Sequence, residues 1–254
     1  MKQLLNFSVF CSAMAVTPLA YSAMVVLPSD FTDAEGSSNE STSLGLFENT
    51  VHTVYNASRV AEAGIQVGDV LSGLAFRIGG GPSARRPAPN FRVDDYVIRL
   101  STSQNSALGL SNVFAENRGA DAVTVHSGEV VFNAADYDDS NNGSGEGPNE
   151  FGPTIVFDNT FTYSGGDLLL EYTHTGALAL EGESEAITSQ ADAVSNLSAV
   201  HTLFGAGFDA TEQGFGADGN ATNFAPVVQF TVIPEPSVGL LSGIALLGLL
   251  RRRR

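Results

Sequence analysis

Tryptophan is absent from the 254 residues, lysine occurs once, as Lys2, and the single cysteine is Cys11. Each shortage excludes something. With one cysteine no disulfide can form within the chain, so the fold depends on packing, hydrogen bonds and charge, or on a metal. Cys11 follows bulky Phe10, where a lipid-bearing cysteine needs a small neighbour, so acylation is not expected. Basic residues are almost confined to the ends: residues 23–233 hold seven arginines against 27 of the 28 acidic residues, a net charge of −20. Such a surface repels phosphate, which excludes nucleic-acid binding through a basic patch. It favours solubility, suits divalent cations and equally fits a saline setting.

Catalytic signatures are missing too. The four histidines, His52, His126, His174 and His201, show no metal-ligand spacing such as H-E-x-x-H. His174 follows Glu171 by three, a spacing that puts the two on opposite faces of a strand. No G-x-S-x-G elbow, phosphate loop or dinucleotide fingerprint occurs, and Gly79-Gly80-Gly81-Pro82 reads as a turn. Paired carboxylates for hydrolysis are selected by no pattern.

The two ends carry clear signals. Met1-Lys2-Gln3, an apolar stretch from Leu4 to Val16 and then Pro18-Leu19-Ala20-Tyr21-Ser22 read as a signal peptide over residues 1–22. Cleavage after Ser22 puts Ala20 and Ser22 at the two positions that must be small. At the other end Pro234-Glu235-Pro236 precedes thirteen residues, 238–250, that are apolar apart from Ser242, and then Arg251, Arg252, Arg253 and Arg254. As a helix that run is ~20 Å long, against a bilayer core of about 30 Å, so it reads as a single short transmembrane helix that needs a thinned membrane or snorkelling arginines. The arginines stay on the cytoplasmic side, which leaves the body outside.

Between the ends, β-branched and aromatic runs alternate with glycine-rich turns. Strands are predicted at residues 51–55, 70–78, 96–100, 122–132 (with a turn at Ser127-Gly128), 154–157, 161–163, 168–175 and 224–232. Residues 29–43 read as an acidic loop, 110–117 as a turn or two of helix, and 181–199 as a helical patch or polar loop. The pattern predicts an all-β fold, a β-sandwich of jelly-roll-like form over residues 23–233. One loop has calcium chemistry: Asp136, Asp138, Ser140, Asn142 and Glu146 offer oxygens at spacings close to the start of an EF-type loop. Asn149 stands where such a loop has its bidentate glutamate, so calcium would bind weakly.

Pro234-Glu235-Pro236, the apolar run and the arginine cluster together resemble the PEP-CTERM sorting signal. That resemblance implies recognition of residues 234–254 by an exosortase, a membrane-embedded protease, after signal peptidase has acted at the other end. Ile98-Arg99-Leu100-Ser101-Thr102, Phe114-Ala115-Glu116-Asn117, Gly119-Ala120-Asp121, Phe161-Thr162-Tyr163 and Gly166-Asp167-Leu168-Leu169-Leu170 resemble a set of uncharacterised PEP-CTERM proteins. That second resemblance implies a shared fold and leaves the activity open. The expectation is a non-enzymatic protein, exported to the outer envelope, cell surface or medium, held transiently at the inner membrane by its tail and associated with extracellular polysaccharide or biofilm matrix. The alternatives are a secreted carbohydrate-binding module and a secreted hydrolase using paired carboxylates.

Overall fold

Strands form wherever apolar and β-branched residues cluster, but the alternation slips at several register shifts, and those slips decide which residues face the core. A computed structural model describes residues 21–44, 48–80, 86–138, 140, 147–180, 189–195, 197, 200–206 and 224–235. Residues 1–20 and 236–254 are outside this set. They include Ala20 of the expected cleavage site, Pro236 and Arg251 to Arg254.

In chain order the strands are β1 (Ala23–Leu27), β2 (Ser38–Glu40), β3 (Asn49–Tyr55), β4 (Val70–Phe76), β5 (Phe91–Thr102), β6 (Val123–Phe132), β7 (Ile155–Thr162), β8 (Leu168–His174), β9 (Leu178–Ala179), β10 (Ala191–Ser195), β11 (Val200–Ala206), β12 (Phe224–Pro226) and β13 (Val228–Ile233). One short helix, α1 (Ala57–Glu62), is capped by the Asn56 side chain, which accepts the Arg59 N–H. The fold is all-β. One sheet runs β1-β13-β4-β7, a second β12-β10-β2, and the largest β11-β3-β8-β5-β6 with β9 also on β5. All named pairings are antiparallel. Among the described residues no helix is long and apolar enough to cross a membrane.

The four-stranded and the largest sheet feed one core. Leu71, Leu74 and Phe76 of β4, Phe157 and Phe161 of β7 and Val228, Phe230 and Val232 of β13 meet Val51 and Tyr55 of β3, Tyr96, Ile98 and Leu100 of β5 and Leu168, Leu170 and Tyr172 of β8. The three-stranded sheet adds Ala191, Val194 and Ala225. Simple alternation over 70–78 puts Leu71 on the face opposite Leu74 and Phe76, yet all three are core. The register of β4 against β7 shifts between Leu71 and Gly73, and that irregularity changes the phase.

The same device operates in β5. Phe91 and Val93 are buried, then Asp94 and Asp95 are both exposed, then Tyr96, Ile98 and Leu100 are buried. Against β6 the register shifts between Val93 and Tyr96. Without that slip the odd-numbered residues would keep facing the core and Arg99 would be driven into it. Three other expectations change in detail. Ser127-Gly128 does not turn but lies inside the continuous β6. Residues 191–195 are a strand and not a helical patch, because their small side chains fit between β2 and β12. The closing strand is two strands in different sheets, parted at Val227, whose N–H donates to the Asp192 carbonyl at 2.9 Å.

Deleting Asp95 removes the extra residue and turns one half of β5 inside out. The expected result is loss of cooperative unfolding in a circular-dichroism melt; Asp95→Ala, which keeps the residue count, should melt within a few degrees of wild type because exposed substitutions usually cost only about 0.5 kcal/mol.

Candidate functional site

Three polar residues interrupt apolar strands on the face of the largest sheet that points away from the main core. His52 sits mid-β3, Glu171 mid-β8 and Arg99 in the second half of β5. The register places His52 opposite Glu171 and Glu171 opposite Arg99, and Arg99 pairs in turn with Thr124 of β6. Four adjacent strands therefore present one polar row, as cross-strand neighbours on a common face must.

Over this row lies the segment between β5 and β6. It contains two short 3-10 turns, Ala107–Gly109 and Phe114–Asn117, where helix was expected over 110–117. Asn117, fully buried, organises it: its Oδ1 accepts the Ser111 N–H and the Asn105 Nδ2, both at 2.8 Å, and its Nδ2 donates to the Ser111 carbonyl at 2.8 Å. Phe114 packs edge-on to His52 with ring centroids 4.6 Å apart. The chain then returns past Gly119, where a Cβ would stand 2.3 Å from the Thr102 carbonyl oxygen. Only glycine permits that approach, and it delivers Arg118 to the same carboxylate.

Glu171 is thereby surrounded by donors. Arg118 donates through Nε to Oε2 at 2.6 Å and through Nη2 to Oε1 at 3.0 Å, a two-pronged contact. Arg99 Nη1 donates to Oε1, and its Nε reaches Thr124 Oγ1 at 3.2 Å. His52 Nε2 lies 2.6 Å from Oε2. Burial by itself raises the Glu171 carboxyl, but the hydrogen bonds from His52 and Arg118 and the charge of Arg118 outweigh it and hold it at about 2. Burial lowers His52, against the pull of Glu171. The ring is therefore neutral at pH 7, with its proton on Nε2 facing the carboxylate, and among the described residues Nδ1, beneath Phe114, has no hydrogen-bond partner. A carboxylate has about four acceptor positions, and here four donor contacts fill them. The protein's own donors therefore occupy the acceptor positions of the Glu171 carboxylate. The arrangement ties the covering segment to the sheet.

Two further buried carboxylates are also held by the protein's own donors. Asp192 takes Arg77 at 2.7 Å and 2.8 Å and the Gly36 N–H at 3.0 Å, in a pair that is almost wholly buried. Glu40 accepts the N–H groups of Thr42 at 2.6 Å and Ser43 at 3.1 Å and both their hydroxyls; burial still raises its carboxyl. Beside it His174 stacks on Tyr96 at 5.3 Å, and its Nε2 lies 2.7 Å from the Thr42 carbonyl. Burial pushes His174 down to about 4. It stands on the core face of β8 with Leu168, Leu170 and Tyr172, opposite Glu171, as the spacing predicted. His126 lies 3.3 Å from Asp158 beside a cleft of ≈ 240 Å³ between β6 and β7. For His201 only the strand position, opposite Val54, is described.

Of the expected calcium ligands, Asp136 Oδ2 accepts the Asn133 amide at 2.9 Å, and Asp138 accepts the Ser140 N–H and hydroxyl, both at 2.9 Å. Asn142 and Glu146 lie outside the described residues. Among the described residues no group of three or more His, Cys, Asp or Glu is placed to hold a metal ion. Pro234 and Glu235 are exposed directly after β13.

The polar row was missed in the sequence, although its parts were visible: a lone charge inside Tyr96-Val97-Ile98-Arg99-Leu100 and another inside Leu168-Leu169-Leu170-Glu171-Tyr172. A charge inside an apolar strand is almost never fully buried unless paired, so two such strands ask for each other. Arg118, in a loop, gave no such signal.

Glu171→Gln keeps the shape and leaves two arginines facing a neutral amide. The expected loss is about 3 kcal/mol by urea denaturation, the lower end of the range for a broken buried pair, because both arginines keep some contact with water. The pH profile has a definite sign. His52 and His174 bind protons less readily folded than unfolded, so their contribution is present above pH 6.5 and is lost as pH falls. Glu171 contributes above its ordinary value of 4.5 and loses that contribution toward about 2. Glu40 and Asp192, both raised by burial, work in the opposite sense. The melting temperature should fall on acidification from about pH 6.5; a flat profile down to about pH 4 would contradict the neutral burial of both histidines.

No protein-family model matches the chain, and no match appears among curated proteins or solved structures.

Proposed function

We propose that this chain is an exported, non-enzymatic cell-surface or matrix protein whose body is a β-sandwich and whose last residues are a sorting tail. The observation that carries the reading is the exit of the chain. β13, the last described strand, is paired on both sides, with β1 and β4, and the next two residues, Pro234 and Glu235, stand exposed. A proline-flanked segment in the open next to a folded domain suits a processing enzyme. The first strand begins at Ala23, the residue that cleavage after Ser22 leaves at the amino end. One core drawn from two sheets supports the sandwich reading.

A non-enzymatic body fits the saturation of Glu171, Asp192 and Glu40, whose oxygens are engaged by the protein's own donors. The carbohydrate-binding alternative needs an exposed aromatic platform, and among the residues from Ser22 onward whose burial is described no aromatic side chain is exposed. Partners on this reading are signal peptidase, an exosortase-type protease, the membrane through the tail, and extracellular polysaccharide.

Intact-mass measurement of the protein recovered from its host, from membrane and medium separately, tests the reading. The expected species lacks residues 1–22 and the residues after the Pro234–Pro236 segment. Removing residues 234–254 should shift the protein from envelope to medium. A full-length mass that keeps Arg251 to Arg254 in every fraction overturns the sorting role.

A further inference from the structure

The Pro234–Glu235 segment is not simply hanging free. Ile233 pairs with Val70, the first residue of β4. The residues just before Val70 meet the residue just after Pro234. Asp69, 6% exposed, closes the turn that precedes β4 by accepting the Gln66 N–H through Oδ2 at 2.7 Å, and its Oδ1 accepts the Glu235 N–H at 3.1 Å. The turn is fixed from behind: Gly68 donates to the Tyr163 carbonyl and Tyr163 donates to the Asp69 carbonyl, each at 2.8 Å. Gly68 has φ +96°, and a Cβ there would stand 2.5 Å from Cδ and Oε2 of Glu235. The bare Cα of Gly68 therefore leaves room for the Glu235 carboxylate, while Asp69 takes its backbone.

The chemistry of the motif makes this seat consequential. Proline has no N–H, so within Pro234-Glu235-Pro236 the Glu235 N–H is the sole backbone donor. An enzyme that binds an extended segment relies on main-chain hydrogen bonds for affinity and on side-chain pockets for specificity. Here the one donor is already bound by the folded body, and the glutamate side chain lies against Gly68.

We infer that Asp69 and Gly68 form a latch that holds Glu235 on the body, and that release from this latch governs the rate of C-terminal processing. The inference rests on the reading of residues 234–254 as a processed tail and adds a control exerted by the folded domain. A hydrogen bond to a charged acceptor corresponds to roughly a tenfold or greater change in population, so opening the latch should speed processing by about that factor.

The test follows full-length wild type, Asp69→Ala and Asp69→Asn in the native host by pulse-labelling and intact mass. In parallel it measures amide exchange at Glu235 and thermal melting of each purified full chain. The expected result is a protected Glu235 amide in wild type, lost protection in Asp69→Ala with about tenfold faster tail removal, and an intermediate rate in Asp69→Asn, which keeps a neutral acceptor. Wild type processed at the same rate as Asp69→Ala overturns the latch and leaves the sorting reading intact. A wild-type chain that is never processed overturns the sorting reading and the rate control together. Should Asp69→Ala melt far below wild type, the wild-type exchange decides: an unprotected Glu235 amide refutes the latch.

Discussion

The Glu171 carboxylate is the point on which this face of the molecule depends. It sits fully buried at the centre of β8, receives Arg99 from one neighbouring strand, His52 from the other, and Arg118 from the segment laid over all three. A buried carboxylate is costly unless its acceptor positions are filled. That requirement dictates much of the surroundings. The slip at Asp94-Asp95 turns Arg99 away from the main core, Asn117 shapes the covering segment, and Gly119 lets that segment approach closely enough for Arg118 to reach. Remove any one and the others lose their reason for position.

A general habit is visible beyond this one residue. The chain has no disulfide and, in its body, no lysine, yet it is rich in acids. It uses some of those acids as internal ties. Asp192 joins the end of β4 to the lead-in before β2 through Arg77 and Gly36, Glu40 gathers a tight turn around Thr42 and Ser43, and Asp121 accepts the N–H and hydroxyl of Thr102. Asp69 fixes a turn and holds the exit of the chain. Three of the seven body arginines are committed to Glu171 and Asp192. The net negative charge thus belongs mainly to the exposed acids, while the buried ones are each compensated by specific donors. Acids used in this way brace the body.

The same logic explains why the site was harder to read than the fold. Strands at 51–55, 96–100 and 168–175 follow from β-branched and aromatic runs, and their structural counterparts start or end within a few residues. His174 and Glu171 fall on opposite faces because strand geometry has a period of two. The slips in β4 and β5 have a faint mark at best: the paired Asp94-Asp95 is legible afterwards as two outward residues in succession, whereas Ser72-Gly73 is not. The small strands β2 and β10 escaped notice, since short polar or alanine-rich segments become strands only because neighbours offer them an edge.

By itself, the sequence determined the all-β character, through apolar alternation broken by glycine-rich turns. It also excluded disulfides and a basic nucleic-acid surface, through the counts of cysteine, lysine and arginine. Only the tertiary structure decided that His52, Arg99, Arg118 and Glu171, separated by up to 119 positions, share one carboxylate, and that Asp69 meets Glu235 across 166. Strand register is set by the sum of many side-chain contacts across several pairings. No local pattern encodes which residues of distant strands will stand side by side.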